Sequence, residues 1–276
     1  MRKIFCVVSN PEKFGRGHLS RQLEIQSHLK LHDIDYAIEF NSENLKSPSR
    51  INESLLILDI SERDKIPALH FMKQFSLIVG FDWSGDFVPD YNIVVLMHPN
   101  KKYFAKRKLT AGLQNFIVHS SVNELREKPS PVKNEYFLIS LGYSASMNSY
   151  LQALSDLEFL NKTQVVIATG KKIELPHIEN LRILVDPPEF IELLAEATAI
   201  ISNGGTTYIE SLFLGKPVLP LPQNEEEKYF VKELESLTIK DPVNENFRKL
   251  DFEKAAKIPF DTYATERIGQ LLIDIL

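Results

Sequence analysis

Short apolar segments of strand length alternate with segments of helical periodicity along nearly the whole chain, and this alternation restricts the fold more than any other feature. In the first half the periodicity predicts strands at Lys3–Ser9, Tyr36–Phe40, Leu55–Asp59, Leu77–Phe81 and Ile93–Met97, and helices at Leu19–Leu31 and Arg63–Gln74. Strands that alternate with helices are joined by crossover connections, so they form a parallel sheet covered on both faces.

The same alternation resumes after a stretch with two prolines, charged residues and no periodicity, Arg126–Asn134, which is predicted to be a linker. Beyond it, strands are predicted at Tyr136–Leu141, Val165–Thr169, Leu181–Val185, around Ile200 and at Pro217–Leu221. Helices are predicted at Ser146–Leu157, Pro188–Ala197, around Glu210, from about Glu225 and at Thr262–Leu276. We therefore expect an α/β protein with two doubly wound, Rossmann-like domains, residues 1–130 and 131–276, and a ligand site in the cleft between them.

Composition narrows the classes of function. The chain has 276 residues, of which 43% are hydrophobic and 25% are charged, with a net charge of −5, so a general nucleic-acid-binding role is not expected. Its single cysteine, Cys6, excludes an internal disulfide and is expected to be buried in the first strand. With neither a secretory leader nor a membrane span expected, the predicted location is cytoplasmic.

A glycine-rich turn in the second half is typical of a phosphate site. The segment Ser202-Asn203-Gly204-Gly205-Thr206-Thr207 follows an apolar strand and opens a helix that carries Glu210. Free N–H groups and the positive dipole end at a helix N-terminus favour a phosphate. Glu210 lies one turn further along the same face, where it can accept hydrogen bonds from ribose hydroxyls. The alternative interpretation is a capped crossover with a solvated glutamate.

The first half carries a second candidate group after its first strand, Gly15-Arg16-Gly17-His18-Leu19-Ser20-Arg21. At the start of a helix the dipole disfavours the imidazolium, so His18 is expected to be neutral and able to act as a general base. Its alternative is a histidine that is hydrogen-bonded in an ordinary turn. Arg21, on the same face, would hold an anionic group or orient a carboxylate.

Two aspartates, Asp59 and Asp82, follow predicted strands at the edge where ligands of parallel sheets bind. Either would fix the tautomer of His18 or bind sugar hydroxyls. The alternative for each is helix capping or turn formation.

The motifs, in the order in which they occur along the chain, resemble those of the PseG-type UDP-sugar hydrolases of pseudaminic acid synthesis. They also resemble those of related proteins in spore-coat polysaccharide assembly. The matching segments are Gly15–Arg21, Leu55–Asp59, Phe81-Asp82 and Ser202–Glu210, so the resemblance extends along most of the chain. These proteins are similar to the MurG group of glycosyltransferases and share its GT-B fold.

The resemblance implies a UDP-sugar substrate. The diphosphate would lie at the Gly204 turn and at the hydroxyls of Thr206 and Thr207, the ribose at Glu210 and the uracil at the backbone near Val185. His18 would activate water or an acceptor hydroxyl for attack at the anomeric carbon, and Asp59 and Asp82 would line the sugar. The residues expected to bind substrate are Gly15, Gly17, Arg21, Asp59, Asp82, Gly142, Val185, Asn203, Gly204, Gly205, Thr206, Thr207, Glu210, Gln223 and Asn224.

Two segments depart from the family pattern. Where the family usually has Gly-Gly-Ser/Thr-Asp, the chain reads Leu141-Gly142-Tyr143-Ser144-Ala145-Ser146, and the family's Asn-Gln pair is replaced by Gln223-Asn224. The identity of the sugar and of the attacking nucleophile therefore stays open. Hydrolysis of a UDP-sugar in surface-polysaccharide or nonulosonic acid biosynthesis is the first hypothesis. A UDP-sugar-dependent glycosyltransferase and a nucleotide-sugar-binding protein without catalysis are the alternatives.

Neither a cofactor nor a metal is expected, because a helix N-terminus with added hydroxyls can stabilise the leaving diphosphate. Asp33-Ile34-Asp35 has the spacing of metal-dependent transferases but lies at the edge of the sheet away from the ligand, so it is predicted to be a turn. The basic run Lys101–Lys108 is expected to be a solvated loop or helix. As an alternative it would dock an anionic or glycan acceptor, or make peripheral contact with a membrane.

Overall fold

The structure is a computed structural model that describes residues 3–42, 45, 54–61, 64, 67, 69–127, 136–142, 145–156, 164–175, 177–238 and 262–276. The strands are β1 (Lys3–Val8), β2 (Asp35–Phe40), β3 (Ser54–Asp59), β4 (Leu77–Phe81), β5 (Tyr91–Val94), β6 (Lys108–Ala111), β7 (Tyr136–Ser140), β8 (Gln164–Thr169), β9 (Leu181–Val185), β10 (Ala199–Ser202) and β11 (Val218–Pro220). The helices are α1 (Pro11–Phe14), α2 (Gly17–Lys30), α3 (Leu69–Met72), α4 (Ser120–Glu127), α5 (Met147–Asp156), α6 (Phe190–Glu196), α7 (Thr206–Phe213), α8 (Glu225–Thr238) and α9 (Ala264–Ile275). No helix in these ranges is long and apolar enough to cross a membrane.

The chain forms two compact units. Unit 1 comprises Met1–His119 and Phe260–Leu276, and unit 2 comprises Ser120–Pro259. Unit 1 contains a six-stranded sheet in the order β2-β1-β3-β4-β5-β6, and unit 2 a five-stranded sheet in the order β11-β10-β7-β8-β9. Every strand pair in both sheets is parallel, which confirms the predicted fold class of two doubly wound α/β sheets.

The sheet of unit 1 is buried on both faces. Successive side chains of a strand point to opposite sides, so alternate residues of β1 enter different clusters. On one face, Ile4 and Cys6 of β1 pack in a cluster that includes Leu29 of α2 and Leu272 of α9. On the other face, Phe5 and Val7 pack with the aromatic side chains of Phe71, Phe75 and Trp83. Cys6 is buried, as the sequence predicts.

Strand order places one topological switch point in each unit. In unit 1 the chain runs from β1 to β2 and then returns to β3 on the other side of β1, so the switch lies where Val8 is paired with Asp59. In unit 2 it lies between β7 and β10, where Ser140 is paired with Ser202. Ligands of open α/β sheets bind in the crevice outside the carboxyl ends of the strands at such points.

Several elements differ from the sequence-based expectations. Strand β5 covers Tyr91–Val94 instead of Ile93–Met97, and β6 and α4 were not predicted. The first two residues of the predicted linker belong to the end of α4, and residues 128–134 lie outside the described ranges. Helix α9, which the sequence analysis assigned to domain 131–276, packs on α2 of unit 1.

Candidate active site

His18 lies in the first turn of α2, which follows the first strand of unit 1 after a short connection. The chain leaves β1, forms the short helix α1 capped by the Asn10 side chain, and turns at Gly15, whose φ is +87°. Only glycine adopts that conformation without strain, and a Cβ placed at Gly15 would meet no heavy atom within 4 Å. The turn therefore leaves open space beside the helix start, where 25% of the His18 side chain is exposed.

The ring of His18 is hydrogen-bonded to the carboxylate of Asp59. His18 Nδ1 lies 2.6 Å from Asp59 Oδ1, and the Asp59 side chain has no exposed surface. Arg21 donates from Nε to Asp59 Oδ2 at 2.6 Å and from a terminal nitrogen to Oδ1 at 2.5 Å, while Gln22 Nε2 donates to Oδ2 at 2.6 Å. Each Asp59 oxygen thus has two protein partners, which favours the tautomer-fixing role over the predicted contact with sugar hydroxyls.

Arg21 connects this carboxylate to that of Asp82. Its other terminal nitrogen donates to Asp82 Oδ2 at 2.7 Å, and the guanidinium lies 5.2 Å from the centre of the Phe81 ring. Asp82 has a φ of +49° and accepts a 2.8 Å hydrogen bond from the backbone N–H of Val95. Of the two predicted roles for Arg21, the geometry supports the orientation of carboxylates.

The electrostatics keep Asp59 and Arg21 in their charged forms. Burial by itself would raise the pKa of Asp59, but Arg21 and His18 outweigh it and hold the pKa well below its usual range. Burial likewise disfavours the Arg21 cation, and Asp59 and Asp82 more than compensate, so its pKa lies well above the ordinary value. Because Nδ1 faces an ionised carboxylate, the neutral imidazole carries its proton there, and Nε2 retains a lone pair.

In unit 2 the glycine turn after β10 leads into α7. Gly205 is the N-cap residue, and Thr206 and Thr207 are the first two residues of the helix, both half-buried. A Cβ at Gly204 would lie 2.5 Å from the backbone oxygen of Glu227, so only glycine allows α8 to approach this closely. The strand–turn–helix arrangement expected from the sequence is present.

Glu227, in the first turn of α8, connects the turn after β10 to the turn after β11. Its carboxylate accepts 2.8 Å and 2.6 Å hydrogen bonds from Asn203 Nδ2 and from the backbone N–H of Gln223. Its own N–H donates to Asn224 Oδ1 at 2.9 Å. Sequence analysis missed Glu227 as a site residue, although an asparagine followed three residues later by a glutamate is a capping pattern that signals it.

The two segments that depart from the pattern of the PseG-type family contact other residues of unit 2. Gly142 has a φ of +77°, and a Cβ there would lie 3.0 Å from Asn203 Nδ2, so the turn after β7 packs on the turn after β10. Gln223 accepts from the Ser149 hydroxyl at 2.6 Å and donates to the Leu221 carbonyl at 2.6 Å. Asn224 caps α8, so the side-chain oxygens of Gln223 and Asn224 both have protein partners. Tyr143 and Ser144 of the divergent turn lie outside the described residues.

The two remaining predicted nucleotide contacts differ in accessibility. Glu210 lies in the middle of α7 and is only 5% exposed, whereas Val185 ends the edge strand β9 and is 50% exposed. The ribose role of Glu210 and the uracil role of the Val185 backbone stay predictions.

Within the described ranges, no group of three or more histidine, cysteine, aspartate and glutamate side chains is arranged to hold a metal ion. The Asp33-Ile34-Asp35 segment lies at the amino end of β2, where Asp33 has a φ of +56° and Asp35 pairs with Lys3 at 2.8 Å. This placement agrees with the predicted turn.

Comparison with known proteins finds similar structures. No protein-family model matches the chain, and no curated protein matches it. The glycotransferase of kitacinnamycin aligns with a TM-score of 0.61 at 13% identity, covering 99% of this chain and 98% of its own. UDP-GlcNAc 2-epimerase from Neisseria meningitidis, bound to UDP-GlcNAc, aligns at 0.53 and 10% identity over 99% and 100% of the two chains. A ugt transferase from Siraitia grosvenorii in complex with UDP aligns at 0.51 and 12% identity over 98% and 94%. The chain thus shares the GT-B-like fold of these enzymes.

Proposed function

We propose that the chain cleaves the glycosyl–phosphate bond of a UDP-sugar, with His18 as the general base that activates a water molecule. The observation that carries the proposal is the 2.6 Å contact between His18 Nδ1 and the fully buried Asp59. A carboxylate held in this way fixes the imidazole tautomer and stabilises the imidazolium that forms when the base takes a proton.

The proposed reaction forms one carbon–oxygen bond, breaks another and transfers one proton. Water attacks the anomeric carbon, and the lone pair of His18 Nε2 accepts a water proton as the new carbon–oxygen bond forms. The bond between the anomeric carbon and the phosphate oxygen breaks, and its electron pair leaves with UDP. Arg21 keeps Asp59 ionised, so that the charge on the imidazolium is balanced within the same hydrogen-bonded group.

The nucleotide is assigned to unit 2. In this proposal the N–H groups of the Gly204-Gly205 turn and the hydroxyls of Thr206 and Thr207 receive the diphosphate, Glu210 the ribose and the backbone at Val185 the uracil. Preorganised dipoles at a helix start stabilise the negative charge that develops on a leaving diphosphate. This choice of nucleotide is supported by two structurally similar proteins, one bound to UDP-GlcNAc and the other in complex with UDP.

Transfer to an acceptor hydroxyl is the second candidate. It is favoured by structurally similar proteins that are glycosyltransferases, among them the kitacinnamycin glycotransferase and the spinosyn rhamnosyltransferase SpnG, which aligns with a TM-score of 0.54. His18 would then take the proton of the acceptor hydroxyl, and the donor site would be the same. The third candidate is a nucleotide-sugar-binding protein without catalysis. It is motivated by the turn that contains Gly142, which lacks the aspartate of the family pattern.

A direct test is UDP release from a panel of UDP-sugars, measured with and without extracts that contain acceptors. Hydrolysis predicts release without acceptor, and transfer predicts release that depends on the extract. Binding of the UDP-sugars, seen as a thermal shift, without any UDP release would support the binding protein. Neither binding nor release by any UDP-sugar would refute the proposal. His32→Ala, at an exposed position just beyond α2, is the matched control for His18→Ala.

A further inference from the structure

A chain of buried hydrogen bonds runs away from Asp59 on the side opposite to His18. Gln22 Nε2 donates to Asp59 Oδ2 at 2.6 Å, and Gln22 Oε1 accepts from the Tyr36 hydroxyl at 2.5 Å. Gln22 and Asp59 have no exposed surface, and Tyr36 is 7% exposed. The described side chains therefore form one series from β2 through α2 and β3 to the imidazole.

The direction of these bonds is fixed by chemistry. A phenol buried in this position stays protonated, because burial raises the pKa of Tyr36 well above its ordinary value. Its O–H therefore donates to the amide oxygen of Gln22, which leaves the amide N–H₂ group facing Asp59. The reverse orientation of the amide would place its oxygen against the carboxylate, and both groups would then be acceptors.

We propose that Gln22 and Tyr36 are positioning residues for His18 that set the pH at which its Nε2 becomes available as a base. A hydrogen bond to the charged form of a carboxylate withdraws part of its negative charge. With Gln22 in place, Asp59 attracts the imidazolium less strongly, so His18 loses its second proton at a lower pH. The catalytic part of this inference rests on the proposed function, whereas the titration of His18 does not.

Other groups also face Asp59, and the test leaves them unchanged, apart from the Tyr36 phenol that one of its variants removes. They are His18 and Arg21 on α2, the Cys6 thiol on β1, the Tyr36 phenol on β2 and, through Arg21, Asp82 at the end of β4. The Cys6 thiol is neutral because burial raises its pKa, so it contributes no charge. Arg21 and Asp82 are not altered by substitutions at Gln22 or Tyr36, so a shift in the His18 titration reports the hydrogen-bond series.

The experiment is an NMR titration of the His18 ring in the full chain, with its signals assigned by their loss in His18→Ala. In Gln22→Met the midpoint of the His18 titration is expected to move to higher pH, and in Tyr36→Phe to move less in the same direction. Gln26→Met is the matched control, because Gln26 lies one turn further along α2 and donates to the backbone oxygen of Tyr36 at 2.7 Å. Its His18 titration is expected to match the wild type.

Tyr36→Phe keeps the aromatic ring and removes only the hydroxyl, so it tests the inference if Gln22→Met does not fold. An unchanged His18 titration in folded Tyr36→Phe and Gln22→Met, or an equal shift in Gln26→Met, would overturn the inference. If the protein also releases UDP, the acid limb of kcat/KM is expected to move to higher pH with the His18 titration, with KM unchanged. A shifted titration in a protein that releases no UDP would uphold the inference and reject the proposed function.

Discussion

At the scale of single residues, Asp59 is the side chain whose surroundings decide both stability and chemistry. Taking a carboxylate out of water costs several kcal/mol, and only well-placed partners repay this cost. Here Arg21 supplies two hydrogen bonds and a full positive charge, while His18 and Gln22 occupy the remaining acceptor positions. The site is therefore held by interactions that a substitution at Asp59 removes together.

We expect Asp59→Asn to lower the free energy of unfolding by about 3–5 kcal/mol, because it leaves the Arg21 cation, only 14% exposed, without its main partner. The measurement is urea unfolding followed by circular dichroism. Asp82→Asn is the matched control, since Asp82 is 32% exposed and shares the same guanidinium. Equal losses in the two variants would contradict the dominant role of Asp59.

The depressed pKa of Asp59 also predicts how stability depends on pH. A carboxyl group whose pKa is lower in the folded than in the unfolded chain stabilises the fold fully above the unfolded value of about 3.9. This contribution is lost as the pH falls from there towards the lower folded pKa. Unfolding free energies measured through that acidic range should decrease more steeply for the wild type than for Asp59→Asn. Parallel curves would show that Asp59 is not the linked group.

At the scale of elements, periodicity in the sequence is sufficient to predict the strongly apolar strands and the helices that cover them. Strand β6 was missed because Lys108 and Leu109 are exposed at the sheet edge and give no apolar run, and α4 because its only buried residue is Val122. The placement of His18 at the start of the first helix and of Asp59 at the end of its strand was predicted, because chain order alone brings such positions to one edge of a parallel sheet. The hydrogen bond between Gln22 and Asp59 was not predicted, because it depends on which face of α2 is turned to the sheet, and periodicity locates that face only to within a residue or two.

The contact between the α7 and α8 turns yields a prediction at two adjacent glycines. Gly204→Ala is expected to cost about 1–3 kcal/mol of stability, because the new methyl group would lie 2.5 Å from a backbone oxygen of α8. Gly205→Ala should cost less, since its nearest neighbour is the Asn203 side chain at 3.2 Å, which can move. Thermal unfolding of both variants is the measurement. A larger loss in Gly205→Ala would show that the two turns do not pack as described.

At the scale of the whole molecule, the chain returns at its end to the unit in which it began. Helix α9 contributes Ala264, Ile268 and Leu272 to the same cluster as α2 and β1. The close packing is visible at Gly269, where a Cβ would lie 2.3 Å from the His28 ring. An amphipathic helix was predicted at this position, but its partner was not, because its apolar stripe fits any exposed face of a sheet or helix.

We expect Leu272→Ala to lower stability by about 2–5 kcal/mol, as for other large-to-small substitutions at fully buried positions. Leu271→Ala is the matched control, since Leu271 is only partly buried at the border of the same cluster. Urea unfolding of unit 1 can be followed by the fluorescence of Trp83, the chain's single tryptophan. Similar losses in both variants would place the buried face of α9 elsewhere.

The most direct test of the central claim is the single-turnover rate of UDP formation by His18→Ala, compared with the wild type on the same UDP-sugar. Circular dichroism and UDP affinity, measured in parallel, would establish that the variant is folded and binds nucleotide. We predict that the rate falls by about a hundredfold or more, the usual contribution of a general base, with UDP affinity retained. A folded variant that releases UDP at the wild-type rate would contradict the assignment of His18 as the base.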